Sequence, residues 1–144
     1  MPDLIKILTL LTCSFMTVAY ASPIDETAIL GTWVNQEGDG LVEITQQQNR
    51  YTGTIIGSTD GKDRQDSHNP DSALKNRSLK NVIVLDNFEY LGDKKWGNGW
   101  IYDPNNGKMY SCKMTLIDSS TLKIRGYIGF SLFGRTEMWT KHEK

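Results

Sequence analysis

The sequence is short of the residue types that build many active sites. It has 2 cysteines and 2 histidines among 144 residues, and its formal net charge is −1. Neither His68 nor His142 belongs to a His-x-x-x-His or Cys-x-x-Cys spacing, so we predict no metal site. A nearly neutral domain also lacks the basic surface that attracts nucleic acid, so no nucleic-acid partner is expected.

Long apolar runs are also absent, except at the N-terminus. There Lys6 precedes the run Ile7–Val18, and Ala19-Tyr20-Ala21 then places small residues where a signal peptidase reads them. The run is too short to span a bilayer. This layout predicts a signal peptide over residues 1–21 and a single mature domain over residues 22–144. We expect that domain to be periplasmic or secreted, monomeric and without a transmembrane anchor.

The cysteines carry two further expectations. Thr12 stands before Cys13, where a lipidated cysteine normally follows Gly or Ala, so lipidation is disfavoured. Loss of Cys13 with the signal peptide would leave Cys112 alone, and one cysteine forms no intramolecular disulfide. The fold must then depend on its hydrophobic core.

The mature sequence alternates short apolar patterns with turn signals, which is typical of an antiparallel all-β domain. The strongest turn signal is Asp103-Pro104-Asn105-Asn106-Gly107, because proline fixes φ and Asn-Gly readily takes positive φ. About eight strands at hairpin spacing predict a closed β-barrel. The expected strands are Ile29–Asn35, Gly40–Gln46, Tyr51–Gly57, Val82–Leu85, Trp96–Tyr102, Met109–Ile117, Leu122–Tyr127 and Arg135–Thr140.

One segment, Ser58–Lys80, is long, polar and rich in aspartate, and it shows no strand pattern. Within it, Asn69-Pro70-Asp71 predicts a helix start with Asn69 as N-cap, continuing for about two turns through Leu74 and Arg77. The spacing of its aspartates does not match a calcium loop, which favours a solvated surface. The segment is either a lid or binding loop, or a plain connection across a barrel end.

No group of residues predicts catalysis. Cys112 is the candidate thiol nucleophile, but period-two alternation places it on one strand face with Tyr110 and Met114. A thiol among apolar neighbours keeps a high pKa and is unreactive. No nucleophile elbow, phosphate loop or dinucleotide motif is present, so we predict a protein that is not an enzyme and uses no cofactor.

Gly31-Thr32-Trp33 at the start of the first strand resembles the lipocalin and calycin barrels. The resemblance implies that Gly31 and Trp33 close one end of the barrel and that a cation late in the chain packs over the indole. Arg135 or Lys141 could supply that cation. Since Arg135 shares a strand face with Trp139 and a closed barrel makes the first and last strands neighbours, we predict Arg135 over Trp33.

A second resemblance covers nearly all of the mature chain. An ordered set of motifs is similar to a bacterial exported family of unknown function, domain of unknown function 2147; it implies a signal peptide and a compact β domain and supplies no activity. The chain departs from it at Gln46-Gln47-Gln48, where members often carry a cysteine pair. The motifs are Gly31-Thr32-Trp33, Asn69-Pro70-Asp71 with Leu74 and Arg77, Ile101-Tyr102-Asp103-Pro104, Gly107-Lys108 with Tyr110 and Cys112, and Lys123–Tyr127 through Gly134-Arg135-Thr136.

We consider two functions from different classes and rank both above an enzyme. The first is a carrier of a small apolar molecule inside the barrel, as an eight-stranded barrel can hold one small ligand. The alternative is an interaction protein of the cell envelope, with a fully packed barrel and the long loop as its contact surface. For the carrier, the candidate ligand contacts are Trp33, Trp100, Tyr110, Cys112 and Met114.

Overall fold

The computed structural model describes residues 26–130 and 132–143. The predicted signal peptide lies outside these residues. In the described part, eight strands and one 3₁₀ turn, Ser72–Leu74, follow one another along the chain. The strands are β1 (Gly31–Val34), β2 (Gly40–Gln47), β3 (Arg50–Ser58), β4 (Ile83–Gly92), β5 (Lys95–Asp103), β6 (Lys108–Asp118), β7 (Thr121–Tyr127) and β8 (Gly134–Lys141).

The strands form the closed antiparallel barrel that the hairpin spacing predicts. Each strand pairs with the next, and β1 pairs with β8 through Trp33↔Lys141 and Val34↔Thr140. β4 is longer than predicted. Asn87 has a φ of 62° beside a register shift, so Leu85 and Phe88 are both buried although three positions separate them. This bulge breaks the alternation from which the strand would have been recognised.

The two ends of the barrel differ in their connections. Tight turns join β2 to β3, β4 to β5 and β6 to β7 at one end, here called the closed end. The longer connections, including residues 59–82 between β3 and β4, lie at the other end, here called the open end. Because side chains alternate along a strand, one face of every strand points into the barrel. The two ends of the barrel therefore differ mainly in the segments that cover them.

A short segment before β1 covers the closed end. The carbonyls of Glu26, Ile29 and Leu30 accept hydrogen bonds from Tyr51 Oη (3.0 Å), Trp33 Nε1 (2.8 Å) and Lys141 Nζ (2.5 Å). These three donors belong to β3, β1 and β8, and Ile29 is fully buried. The segment is therefore fixed to three strands at once and plugs this end of the barrel.

A short helix is present in the long connection, as predicted, but it is much shorter than two turns. The structure has the single 3₁₀ turn Ser72–Leu74, and its N-cap is Asp71, whose carboxylate accepts from Ala73 N at 2.9 Å. Asn69 lies before the turn: its side-chain oxygen accepts from Asp71 N (2.9 Å), while its amide donates to Asp66 (2.8 Å). The chain then turns back, since the carbonyl of Arg77 accepts from Asp66 N (3.0 Å) and ends any continuation of the helix.

Candidate functional site

A cavity of about 920 Å³ opens between the loops of the open end. This volume lies within the roughly 300–1,000 Å³ of small-molecule sites. Inward positions near the open ends of the strands form most of its apolar wall, which includes Val42, Ile55, Val84, Ile101, Ile124 and Trp139.

Charged groups line the cavity on β8. The Glu137 carboxylate accepts from Trp139 Nε1 (2.9 Å) through one oxygen and pairs with Arg135 (2.9 Å) through the other. Arg135 also pairs with Glu37 (3.1 Å) from the β1–β2 loop. The side chain of Glu137 is 21% exposed and that of Arg135 is 60% exposed, so the polarity rises toward the mouth.

The connection between β3 and β4 supplies another side of the cavity. Residues 61–64 and 78–80 line it, and the middle of the connection is anchored by Asp66, which is fully buried. Asp66 accepts hydrogen bonds from Tyr102 Oη (2.6 Å), Asn69 Nδ2 (2.8 Å) and Arg77 Nη2 (2.8 Å). This carboxylate gathers residues from two of the family-like motifs around one buried charge.

The electrostatics of this anchor fit an ionised Asp66. Burial alone would raise the pKa of Asp66, but the hydrogen bonds from Tyr102, Asn69 and Arg77 outweigh it and hold the pKa below its usual value of 3.8. Burial and the hydrogen bond to Asp66 raise the pKa of Tyr102 to about 12. The phenol therefore stays a donor and the carboxylate an acceptor over the neutral range.

A close backbone approach also fixes the connection. Gly107, in the β5–β6 turn, has a φ of 70°, and a Cβ at this position would lie 1.9 Å from the carbonyl oxygen of His68. Glycine is therefore required both by its own conformation and by its neighbour. The connection is thus anchored at its middle and borders the cavity near both of its ends, so it is more than a plain crossing.

The structure places one of the five predicted ligand contacts at the cavity and the other four elsewhere. Tyr110 lines the cavity, and its hydroxyl accepts from Asn106 Nδ2 (2.8 Å). Trp33, Cys112 and Met114 do not line it, because they are buried in the packed core below. Trp100 does not line it either, since it alternates with the inward Ile101 on β5.

Sequence reasoning missed most of the cavity wall, including Val84, Ile101 and Ile124. Alternation identifies which residues point inward, but it does not give their height along the barrel axis. Nearness to the longer connections is the signal that could have found them, because those connections share one end of an antiparallel barrel.

Cys112 is a packing residue. It is 1% exposed, and burial together with nearby Glu137 raises the pKa of its thiol to about 12. The thiol therefore remains protonated at neutral pH, as the apolar alternation of β6 predicts.

Lys141, and not Arg135, supplies the cation over Trp33. Its Nζ lies 4.5 Å from the centre of the indole. Arg135 lies at the open end, and at about 3.3 Å per residue the six positions between it and Lys141 span roughly 20 Å of β8. A Cβ on Gly31 would lie 3.0 Å from Lys141 Nζ, so glycine leaves the space that the lysine needs.

Across residues 26–130 and 132–143, no three His, Cys, Asp or Glu side chains are grouped so as to hold a metal ion. In the same described part, no helix has the length and apolar character needed to cross a bilayer.

The chain is similar to known proteins both in its fold and in its sequence. No curated protein matches it. A solved structure, "Protein HP1028 from the human pathogen Helicobacter pylori belongs to the lipocalin family", is similar with a TM-score of 0.72 and 24% sequence identity, covering 80% of this chain and 83% of that one. The fold is thus a lipocalin-like barrel. A family model described as "Uncharacterized protein conserved in bacteria (DUF2147)" matches residues 31–141, and the chain belongs to that family.

Proposed function

We propose that the protein binds a small apolar molecule in the cavity at the open end. The observation that carries the proposal is the cavity itself, with about 920 Å³ of space and a wall that includes Val84, Ile101 and Ile124. Burial of apolar ligand surface against such a wall is favourable. The alternative of a fully packed barrel has less support, because the packed core occupies the closed end and leaves this space open.

The charges around the cavity favour one orientation of the ligand. A fatty-acid or small aromatic molecule would place its apolar part against Ile124 and Trp139. A carboxylate at that depth would meet the carboxylate of Glu137, so an anionic group belongs at the rim. There Arg135, now paired with Glu37, offers a cation that is 60% exposed.

Binding rather than catalysis fits the chemistry of the groups at the cavity and in the core below it. Both oxygens of Glu137 already have donors, and the Cys112 thiol is buried with its pKa raised to about 12. We infer a monomeric carrier that acts in the periplasm or outside the cell. Its export rests on the N-terminal sequence pattern.

The test is a titration with 1-anilinonaphthalene-8-sulfonate, an environment-sensitive apolar dye, followed by competition with palmitate. We expect saturable binding that palmitate reverses. Ile101→Gln places an amide in the cavity wall and should weaken binding about tenfold. Ile117→Gln is the matched control, because Ile117 is exposed and lies on β6 outside the cavity.

Both variants should be checked by thermal unfolding, so that a loss of dye binding is not confused with a loss of fold. Absence of saturable binding by the folded wild-type protein would contradict the proposal. Equal weakening by Ile101→Gln and Ile117→Gln would place the dye outside the cavity and would also contradict it.

A further inference from the structure

The β7–β8 loop at the cavity mouth is apolar and exposed. Ile128, Phe130, Leu132 and Phe133 are between 67% and 83% exposed. Ile128 and Phe133 also line the cavity, so the loop is continuous with its opening. Large apolar side chains gathered at one exposed site usually mark a contact surface.

The outer face of the neighbouring strands carries positive charge. Lys113 of β6 is paired in register with Arg125 of β7, and Lys123 lies two positions before Arg125 on the same face. Alternation with buried Leu122 and Ile124 directs this face of β7 outward. Within the described strands, the outward positions of β7 and β8 hold no acidic residue; they are Thr121, Lys123, Arg125, Tyr127, Gly134, Thr136, Met138 and Thr140.

The cationic face and the apolar loop are physically joined. Arg125 Nη2 donates to the carbonyl of Leu132 (3.3 Å), and its Nη1 donates to Thr136 Oγ1 (2.9 Å). Lys113 Nζ lies 5.5 Å from the centre of the Tyr127 ring, at the start of the loop. The loop therefore emerges directly beside Arg125 and Lys113, and the two features form one surface.

We propose that this surface docks the open end of the barrel onto an anionic lipid bilayer. The apolar tip enters the boundary between headgroups and acyl chains, while Lys113, Lys123 and Arg125 face the lipid phosphates. Charge complementarity favours a bilayer as the occupant, because it offers a continuous layer of negative charge above an apolar layer. That order matches the cationic strand face followed by the apolar tip.

Docking would also place the cavity mouth against the membrane, since Ile128 and Phe133 belong to both surfaces. An apolar molecule could then pass between bilayer and cavity without crossing water. This second step rests on the proposed function, whereas docking alone requires no ligand.

The experiment is flotation of the mature protein, residues 22–144, with vesicles of phosphatidylcholine alone or mixed with phosphatidylglycerol. We expect binding to the mixed vesicles that added salt weakens. The double variant Phe130→Ser/Leu132→Ser should lower partitioning at least about tenfold. Its control is Leu91→Ser/Ile117→Ser, which removes exposed apolar side chains toward the closed end.

The charges have their own variants. Lys113→Gln and Lys123→Gln should each weaken binding to the mixed vesicles about fivefold, whereas exposed Lys75→Gln in the β3–β4 connection should leave it unchanged. The proposal is overturned if the wild-type protein binds neither vesicle type or binds both equally. Equal losses in the loop variant and its control overturn it too.

Dye titration without vesicles separates this proposal from the proposed function. Neither Phe130 nor Leu132 lines the cavity, so Phe130→Ser/Leu132→Ser should bind the dye as the wild type does. Dye binding without vesicle binding overturns docking alone. Vesicle binding without dye binding overturns the cavity function alone.

Discussion

The closed and open ends of this barrel are built from the same eight strands, but one end is packed and the other holds a cavity. At the closed end, Ile29, Trp33 and Phe88 are fully buried, and three strands donate hydrogen bonds to the plug segment before β1. At the open end, the inward side chains border a cavity of about 920 Å³. The difference arises from the segments that cover each end, so we expect stability and the proposed ligand binding to depend on separate regions.

Two tryptophans show the same division. Trp96 lies at the closed end between Tyr51 and Tyr90, with ring centroids at 6.0 and 5.0 Å, and among the described residues its buried Nε1 has no hydrogen-bond partner. Trp139 at the cavity donates to Glu137. Ring packing thus stands in for a hydrogen bond at Trp96, whereas the indole of Trp139 is hydrogen-bonded at the cavity wall.

The largest expected contrast is between Phe88→Ala and Ile101→Ala. Phe88 is fully buried in the packed end, so its truncation should lower the free energy of unfolding by about 3–5 kcal/mol. Ile101 is half-buried beside existing space, so its truncation should cost only about 1–2 kcal/mol. Urea unfolding measures both. Equal losses would mean that the cavity wall is packed as tightly as the closed end.

The sequence alone predicts the strands and their inward faces well, because alternation and turn residues are local signals. It places Tyr110, Cys112 and Met114 on one face, as the structure does. It does not predict which of them reaches the cavity. Height along the axis depends on strand tilt and register, which arise from pairing across the whole barrel.

The same limit explains the two other errors. Arg135 was expected over Trp33 because the first and last strands are neighbours, but register puts Lys141 there. The helix expected after Asn69 is cut short because the chain folds back and the carbonyl of Arg77 accepts from Asp66 N, a contact that no local pattern reveals. A contact between separate parts of the connection thus overrides a local helix preference.

An intermediate effect is expected from the anchor of the β3–β4 connection. Asp66→Asn should lower the free energy of unfolding by about 2–3 kcal/mol, because the amide cannot accept from Tyr102 through one atom and from Asn69 and Arg77 through the other, and because Arg77 loses its negative partner. Chemical denaturation provides the measurement, and Asp93→Asn, with its side chain 81% exposed, should be nearly neutral. Similar losses in the two variants would show that the anchor adds no stability.

Acid should reproduce part of this loss. Since the folded pKa of Asp66 is below its usual 3.8, the carboxylate contributes stability above pH 3.8, and that contribution disappears as the pH falls through the folded value. The wild type should therefore lose more stability than Asp66→Asn between pH 5 and pH 2, which unfolding at several pH values can measure. Parallel pH profiles would contradict the assignment.

The smallest expected effect concerns the cation at the closed end. Lys141→Met should lower the free energy of unfolding by about 1 kcal/mol, since it removes the ammonium from the Trp33 ring and from the Leu30 carbonyl. Burial lowers the pKa of Lys141, so the desolvation that the ammonium suffers offsets part of this loss. Arg135→Met, at the open end, should stay within about 0.5 kcal/mol because that ion pair is exposed.

A double-mutant cycle isolates the contact with the ring from the hydrogen bond to Leu30. Trp33→Phe keeps an aromatic face but weakens its attraction for a cation, so its coupling to Lys141→Met should be about 0.5–1 kcal/mol. The hydrogen bond to Leu30 is lost in both lysine variants of the cycle and cancels. Coupling of Trp33→Phe to Arg135→Met should be zero, because roughly 20 Å of β8 separates Arg135 from the residue over Trp33. Coupling of Trp33→Phe to Arg135→Met, with none to Lys141→Met, would show that Arg135 and not Lys141 contacts the Trp33 ring.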